Sequence, residues 1–260
     1  MKKFLVTACF IMSLFAANSQ ITPTDTTVSI PRATENTNDS PVPKKWQALD
    51  LTNRSNDHFM VQYGFDNWSG ATNDSVNPQG FSRFFNMYFM LDKPFRNSPK
   101  FSLGIGAGIG SSNMFFKKTS IDLKSNSSQL PFTRLDSANH FKKYKLTTVF
   151  LEAPIELRYN SNPVNTNKGL KMALGIKVGT LINAHTKGKT LVDKNENTVN
   201  AYILKENSKR FFNSTRLALT GRVGLGIVSL YGAYQVTGLL KDGAGPVVRP
   251  YSIGLAISGL

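Results

Sequence analysis

Nine charged side chains fall on the polar face of segments in which apolar and polar residues alternate. Four are acids and five are bases, so they could pair with one another or line a channel. Charges that are held away from bulk water must pair or they cost free energy. We therefore favour a structural network of ion pairs that excludes a pore, with a conducting channel as the alternative. The nine residues are Asp66, Asp92, Glu152, Glu156, Arg158, Lys171, Lys177, Arg216 and Arg222.

The three histidines give little indication of catalysis. His58 precedes the first alternating segment, and His140 and His185 lie at the bases of long connections without a recognisable acid–serine pairing. The sequence has no His-x-x-His motif and no carboxylate cluster with metal-ligand spacing. The glycines of Gly104–Gly108 lack the lysine and the helix of a phosphate-binding loop. We expect no enzymatic activity, no metal and no cofactor.

A period of two runs through most of the chain after residue 58. Successive side chains of a β-strand point to opposite faces, so this alternation predicts half-buried strands. The apolar positions are rich in aromatic residues, whereas the opposite positions carry glycine, serine, asparagine and charges. We predict eight strands, near Phe59–Asp66, Phe81–Asp92, Phe101–Gly110, Val149–Tyr159, Leu170–Asn183, Arg216–Leu225, Val228–Thr237 and Tyr251–Ser258.

The connections between these segments alternate between long and short. The long ones lie near Asn67–Gln79, Lys117–Lys142, Thr186–Arg210 and Gly238–Arg249. Transmembrane β-barrels of the bacterial outer membrane have this layout, with short turns in the periplasm and long loops outside. An even number of strands closes the sheet and leaves no unpaired edge in lipid. We predict an all-β fold, an eight-stranded antiparallel up-and-down transmembrane β-barrel.

A soluble sandwich or lipocalin-like barrel is the alternative fold. In such a fold the apolar face would point inward and fill a core. The third segment favours the membrane barrel, because its polar face carries Gly104, Gly106, Gly108 and Gly110. Such small residues suit a narrow lumen better than a solvated surface.

Pro154 lies inside the fourth predicted strand. Proline has no N–H for the ladder and is normally confined to edges or bulges. Because a closed barrel has no edge, we predict a bulge or a local opening at Pro154.

The first 19 residues have the layout of an export signal. Two lysines precede an apolar run that ends at Ala17, and a small-x-small end follows in front of Gln20. We predict that residues 1–19 are a signal peptide cleaved after Ser19. The alternative is a lipobox with acylation of Cys9, which is the only cysteine of the chain. Cleavage after Ser19 would leave a mature protein without disulfides.

From Gln20 to about Lys45 the chain contains mostly threonine, proline, asparagine and aspartate, with few apolar side chains to bury. Such a segment cannot offset its own ordering entropy. We predict a flexible periplasmic lead over residues 20–57, followed by the barrel over residues 58–260.

Several strands also resemble those of a known family. Phe150–Tyr159 resembles the "LE-x-P-x-E-L-R-Y" strand of small outer-membrane β-barrels of the Bacteroidota, and Arg222–Gly226, Ser229–Tyr231, Lys241–Pro246 and Pro250–Leu255 are similar to its closing hairpins. This is the outer membrane protein β-barrel, or PorT-like, family, and the likeness covers Phe59 to Leu260. It implies an outer-membrane location and, through PorT itself, a connection with a Bacteroidota secretion apparatus.

The chain is strongly basic, with a formal net charge of +15 that falls to +13 when the signal and its two lysines are removed. Basic groups near a membrane gain about 1 kcal/mol each from anionic headgroups. We therefore expect outer-membrane lipid and the phosphates of lipopolysaccharide as partners. Nucleic acid is not expected, because no binding motif is present. The basic residues in or beside the two longest connections are Lys117, Lys118, Lys124, Arg134, Lys142, Lys187, Lys189, Lys194, Lys205, Lys209 and Arg210.

Two functions are compatible with this sequence. In the first, the barrel is a non-enzymatic structural or accessory component, either free-standing or docked on a larger secretion or assembly machine through outer-membrane or periplasmic proteins. In the second, it is a narrow passive porin for small solutes. The polar lead, the paired lumen charges and the long connections favour the first.

Overall fold

The computed structural model describes residues 59–70, 76, 78, 81–135, 139–165 and 167–259. The predicted signal peptide, Cys9, the lead and His58 lie outside the described residues. Within the described part no helix is long and apolar enough to cross a membrane. The strands are β1 Phe59–Ser69, β2 Arg83–Phe95, β3 Ser98–Phe116, β4 Thr119–Ile121, β5 Phe132–Arg134, β6 His140–Asn160, β7 Leu170–Val192, β8 Thr198–Asn207, β9 Thr215–Leu225, β10 Val228–Gln235 and β11 Arg249–Ser258.

Eight of these strands form a closed antiparallel barrel, which confirms the predicted fold. The order around the barrel is β1, β2, β3, β6, β7, β9, β10 and β11, and β11 pairs back onto β1. At this closing pair Gly64 lies opposite Gly254, and Tyr63 lies opposite Leu255. Every barrel strand therefore has two hydrogen-bonded neighbours, as a sheet surrounded by lipid requires.

The two faces of the barrel wall are the reverse of those in a soluble protein. The large apolar side chains point outward, and about half of their surface is exposed at Phe65 (54%), Leu157 (50%) and Leu255 (55%). The alternating polar residues, such as Gln62 and Ser252, are buried inside. A lipocalin-like barrel would place the apolar set in its core. The observed faces therefore exclude the soluble alternative.

Short and long connections lie at opposite ends of the barrel, as predicted. β9 and β10 are joined through a tight turn at Gly226, whose φ of 63° suits a residue without a Cβ. The predicted long loop Thr186–Arg210 is wrong in part, because β7 continues to Val192 and pairs with β8 in a hairpin. β6 likewise begins at His140, and β4 pairs with β5 inside the preceding connection. Alternation did not reveal the hairpin because the apolar residues Ala201–Leu204 of β8 are consecutive and fall on both of its faces.

Pro154 lies in a locally open part of the wall, without a bulge. On the side of β7, Pro154 pairs with Lys177, and the register there is unbroken. On the other side, the described ladder between β3 and β6 passes from the Ile105–Ile155 pair to the Gly108–Glu152 pair, with no pair between them. The bulge in this wall lies instead beside Val149, where β7 contains one extra residue, Ile182. The missing N–H of proline thus opens one ladder without shifting its register.

The long connections fold together over one end of the lumen. We call this apolar cluster the loop cap. Tyr144 fixes β4 to it, because its hydroxyl donates to the carbonyl of Ile121 at 2.8 Å and accepts from the N–H of Ile121 at 3.1 Å. Phe212 pairs with Leu240 in an isolated bridge between two connections. The loop cap comprises Trp68, Val76, Met114, Phe116, Ile121, Leu123, Leu130, Tyr144, Leu146, Phe150, Leu181, Ala184, Phe211, Phe212, Leu239, Leu240, Ala244 and Val248.

Candidate functional site

The two lumen glutamates of β6 are each flanked by glycine on both neighbouring strands. Glu152 lies between Gly108 on β3 and Gly179 on β7. Glu156 lies in the same way between Gly104 and Gly175. Since glycine has no side chain, it leaves room in which long basic side chains can reach these carboxylates. A Cβ at position 104 would lie 2.5 Å from Nε of Arg158, so larger residues do not fit there.

Glu152 is the centre of the first charged cluster. Its Oε1 accepts a hydrogen bond from Nη1 of Arg216 at 2.9 Å, and Nζ of Lys177 lies 3.1 Å from its Oε2. The hydroxyl of Tyr88 donates to the same Oε2. Lys177 also contacts the hydroxyls of Tyr88 and Tyr231, at 3.3 Å and 3.5 Å. Two cations and a phenol therefore surround one buried carboxylate.

Glu156 is the centre of a second cluster, nearer to the short turns. Its Oε2 accepts hydrogen bonds from Nη2 of Arg222 at 2.8 Å and from Nε of Arg158 at 3.0 Å. Nη1 of Arg158 lies 3.5 Å from Oδ1 of Asp92, which extends the cluster to β2. Nη1 of Arg222 donates to the hydroxyl of Ser258 at 3.3 Å. Hydrogen bonds between charged groups of this kind are stronger than neutral ones.

Asp66 and Lys171 complete the set of nine predicted residues. Asp66 on β1 is buried, and its two oxygens accept hydrogen bonds from the hydroxyls of Ser112 and Ser252. Nζ of Lys171 donates to Oδ1 of Asn167 at 3.1 Å, close to the turn between β6 and β7. All nine side chains thus face the lumen. Seven of them form the two clusters around Glu152 and Glu156.

The cavities beside the two clusters are small. One cavity, beside Arg216 and Gln235, has a volume of about 10 Å³, and a second, beside Arg158 and Arg222, also has about 10 Å³. A volume of this size holds about one water molecule. The cavities therefore give room for single waters at the ends of the network, and the loop cap covers the lumen above it.

The sequence reasoning missed the neutral partners of the network. Tyr88 and Tyr231 contact Lys177, and Ser112 and Ser252 hold Asp66. Their positions in the alternation would have placed them in the lumen. Their partners could not be identified, because they lie on other strands and the pairing depends on the register and curvature of the closed sheet.

The two described histidines lie on opposite faces of the wall formed by β6 and β7. His140 is buried on the inner side, with Nε2 3.6 Å from Oε1 of Glu196. His185 is on the outer side, with Nδ1 3.2 Å from Oδ1 of Asn183. They therefore do not share a site. Among the residues that the structure describes, no group of three or more His, Cys, Asp or Glu could hold a metal ion.

The comparison with protein families agrees with this architecture. A family model described as "Outer membrane protein beta-barrel domain" matches residues 56–238, more than half of the chain. The chain belongs to this outer-membrane β-barrel family. The match begins before β1 and ends just after β10, so it covers seven of the eight barrel strands. No curated protein matches the sequence significantly.

Membership of the outer-membrane β-barrel family explains the exposed apolar face. The part of β6 with outward apolar side chains extends from Val149 to Tyr159 and is 11 residues long. A strand needs about 9–11 residues to cross the hydrocarbon core. This lipid-facing band would be costly to expose to water but is favourable in a bilayer. The protein is therefore an integral outer-membrane barrel.

Proposed function

We propose that this outer-membrane barrel is a non-conducting and non-enzymatic accessory component that docks on a secretion or assembly machine. The observation that carries the proposal is the filled lumen, in which Glu152 holds Lys177 and Arg216 while Glu156 holds Arg158 and Arg222. A barrel whose interior is occupied by its own side chains has no open pore, so it would act through contacts made by its rims and loops.

The ion pairs oppose conduction for an energetic reason. A solute passing through the lumen would have to separate charges that are buried and hydrogen-bonded. Removing one partner of a buried ion pair costs about 3–5 kcal/mol, because the other charge is left uncompensated. The loop cap would also have to open, since it covers the same lumen with buried residues such as Phe212 and Leu240.

A partner role is supported by the resemblance of β6 and the closing hairpins to PorT-like barrels of the Bacteroidota. The loop cap adds to this support, because it gives the outer end a defined surface instead of independent loops. Leu130 and Ala244, for example, join two connections through a backbone hydrogen bond of 2.8 Å. The predicted signal peptide and periplasmic lead would supply export and a second contact on the periplasmic side.

A non-enzymatic role is supported by the separation of the histidines. His140 and His185 lie on opposite faces of the wall, and their described polar neighbours are Glu196 and Asn183. An activated nucleophile needs a base within hydrogen-bond reach, together with a third group that orients it. In the lumen, Glu152 and Glu156 already hold lysine and arginine side chains.

The test combines affinity purification with conductance. A tagged copy is extracted from native membranes in mild detergent, and co-purifying proteins are identified by mass spectrometry, with another tagged eight-stranded barrel as control. We expect a stoichiometric set of outer-membrane or periplasmic proteins, and no ion current from the purified barrel in a planar bilayer. A lone barrel with a current that changes in Glu152→Gln or Arg216→Gln would contradict the proposal and favour the porin.

A further inference from the structure

Five lysines lie side by side on the outer wall of the barrel. Lys145 on β6 pairs with Lys187 on β7, and Lys187 pairs with Lys205 on β8. Lys143 and Lys189 form the adjacent pair on the same face. We call these five residues the lysine patch. Since neighbouring strands are about 4.8 Å apart, the row of three spans only about 10 Å at the backbone.

The lysine patch continues directly from the lipid-facing band. On β6 the outward residues Leu151 and Val149 are followed on the same face by Thr147 and then Lys145, and the register with β3 is unbroken there. Lys145 lies four residues beyond Val149, which is about 13 Å along a strand and less along the membrane normal, because barrel strands tilt by about 35–45°. With the long connections outside, as is general for outer-membrane barrels, this distance corresponds to the level of the outer-leaflet headgroups.

The lysine patch forms no ion pair with an acidic side chain within the described part of the barrel. Like charges directly opposite each other on neighbouring strands are destabilising. None of the ion pairs between described residues involves any of the five lysines. The side chains that Lys145 contacts on β3 are neutral: Nζ donates to Oδ1 of Asn113 at 2.7 Å and lies 6.0 Å from the ring centroid of Phe115.

The charges of this cluster affect His185, which lies beside the row of three lysines. Partial burial lowers the pKa of His185, and the charges of Lys205, Lys145 and Lys187 lower it further. Partial burial also lowers the pKa of Lys145, with Lys187 as the second cause. The three lysines of the row therefore act together on one small region of the surface, and a bound anion there would relieve their repulsion.

We propose that the lysine patch binds the phosphate groups of lipopolysaccharide in the outer leaflet. Lys145, Lys187 and Lys205 contact the phosphates, and the acyl chains lie below against outward residues such as Leu151 and Ile182. This occupant is favoured because it combines anionic headgroups at the height of the patch with hydrocarbon at the height of the band. The proposal depends on the outer-membrane location, but not on the accessory role.

Binding of lipid A with two phosphates to the purified full-length protein in non-ionic detergent tests this proposal. The test variant is Lys145→Gln/Lys187→Gln/Lys205→Gln. The control variant is Lys93→Gln/Lys168→Gln/Lys241→Gln, which removes the same charge from exposed positions outside both the patch and the two longest connections. Each lysine near an anionic headgroup contributes about 1 kcal/mol, or about fivefold in affinity, so we expect the test variant to bind about a hundredfold more weakly. The control variant should bind within about twofold of the native protein.

Dephosphorylated lipid A provides the second arm of the experiment. The native protein should bind it as weakly as the test variant binds the phosphorylated form. Folding of each variant is checked by heat-modifiable mobility on a gel, and Lys187→Gln alone, with an expected loss of about fivefold, serves if the triple variant does not fold. Equal losses in the test and control variants would overturn the proposal. The proposal would also be overturned if the test variant bound lipid A as tightly as the native protein but no longer co-purified with an acidic protein. In that case the lysine patch would be a protein-binding site.

Discussion

Nζ of Lys177 on β7 lies 3.1 Å from Oε2 of Glu152 on β6, with both side chains buried in the lumen of a membrane barrel. Arg216 shares the same carboxylate from β9. The pairing joins three consecutive strands of the wall across the inside of the barrel. Substitution of Glu152 would therefore remove the ion-pair partner of both Lys177 and Arg216.

Replacing Glu152 by glutamine should destabilise the barrel strongly. The change keeps the shape but leaves Lys177 and Arg216 without a carboxylate, and removal of one partner of a buried pair costs about 3–5 kcal/mol. The measurement is the free energy of unfolding in urea after refolding into lipid vesicles. Asp242→Asn, which removes one charge from an exposed position on a loop, should change it by no more than about 0.5 kcal/mol. Equal stability of the two variants would contradict the role of the network.

A side chain at Gly110 should also disturb the network. An added Cβ would lie 2.5 Å from Oε2 of Glu152 and 2.9 Å from Oδ1 of Asn86. We expect Gly110→Val to lower the free energy of unfolding by about 1–3 kcal/mol through overpacking. The matched control is Gly232→Val on the outer wall, where a Cβ would have nothing within 4 Å. Since β-branched residues suit strands, that control should be neutral or slightly stabilising.

The loop cap should depend on its buried aromatic side chains. Phe212 is almost completely buried and pairs with Leu240 from another connection. We expect Phe212→Ala to weaken the cap by about 3–5 kcal/mol and to expose the outer loops to protease. Limited proteolysis of the refolded barrel would measure this, with Val247→Ala at an exposed loop position as the control. Unchanged cleavage of the loops in Phe212→Ala would show that the cap does not need this contact.

His185 should titrate below its ordinary pKa of 6.5 because of partial burial and the nearby lysines. As the pH falls below 6.5, the unfolded chain takes up this proton more readily than the folded barrel does, so the folded state loses stability. NMR titration of the imidazole would measure the pKa directly. Replacing Lys145, Lys187 and Lys205 by glutamine should raise it towards 6.5. A value at or above 6.5 in the native protein would contradict the electrostatic account of the lysine patch.

The period-two pattern specified the barrel strands, because a wall between lipid and a polar lumen imposes opposite chemistry on successive residues. It therefore placed residues as far apart in the chain as Asp66 and Arg222 on one inner face. The alternation of short and long connections likewise predicted which ends of the strands lie together. These are local properties, and each can be read from a few neighbouring residues.

The partners of the charges were decided only by the tertiary structure. Which base reaches Glu152 depends on strand register, on the glycines opposite and on distances across the lumen, none of which is local. The loop cap was missed because Phe211, Phe212 and Leu239 lie in connections without a period. The lysine patch was missed for a related reason: its row exists only because β6, β7 and β8 align three residues that are separated by 42 and 18 positions in the chain.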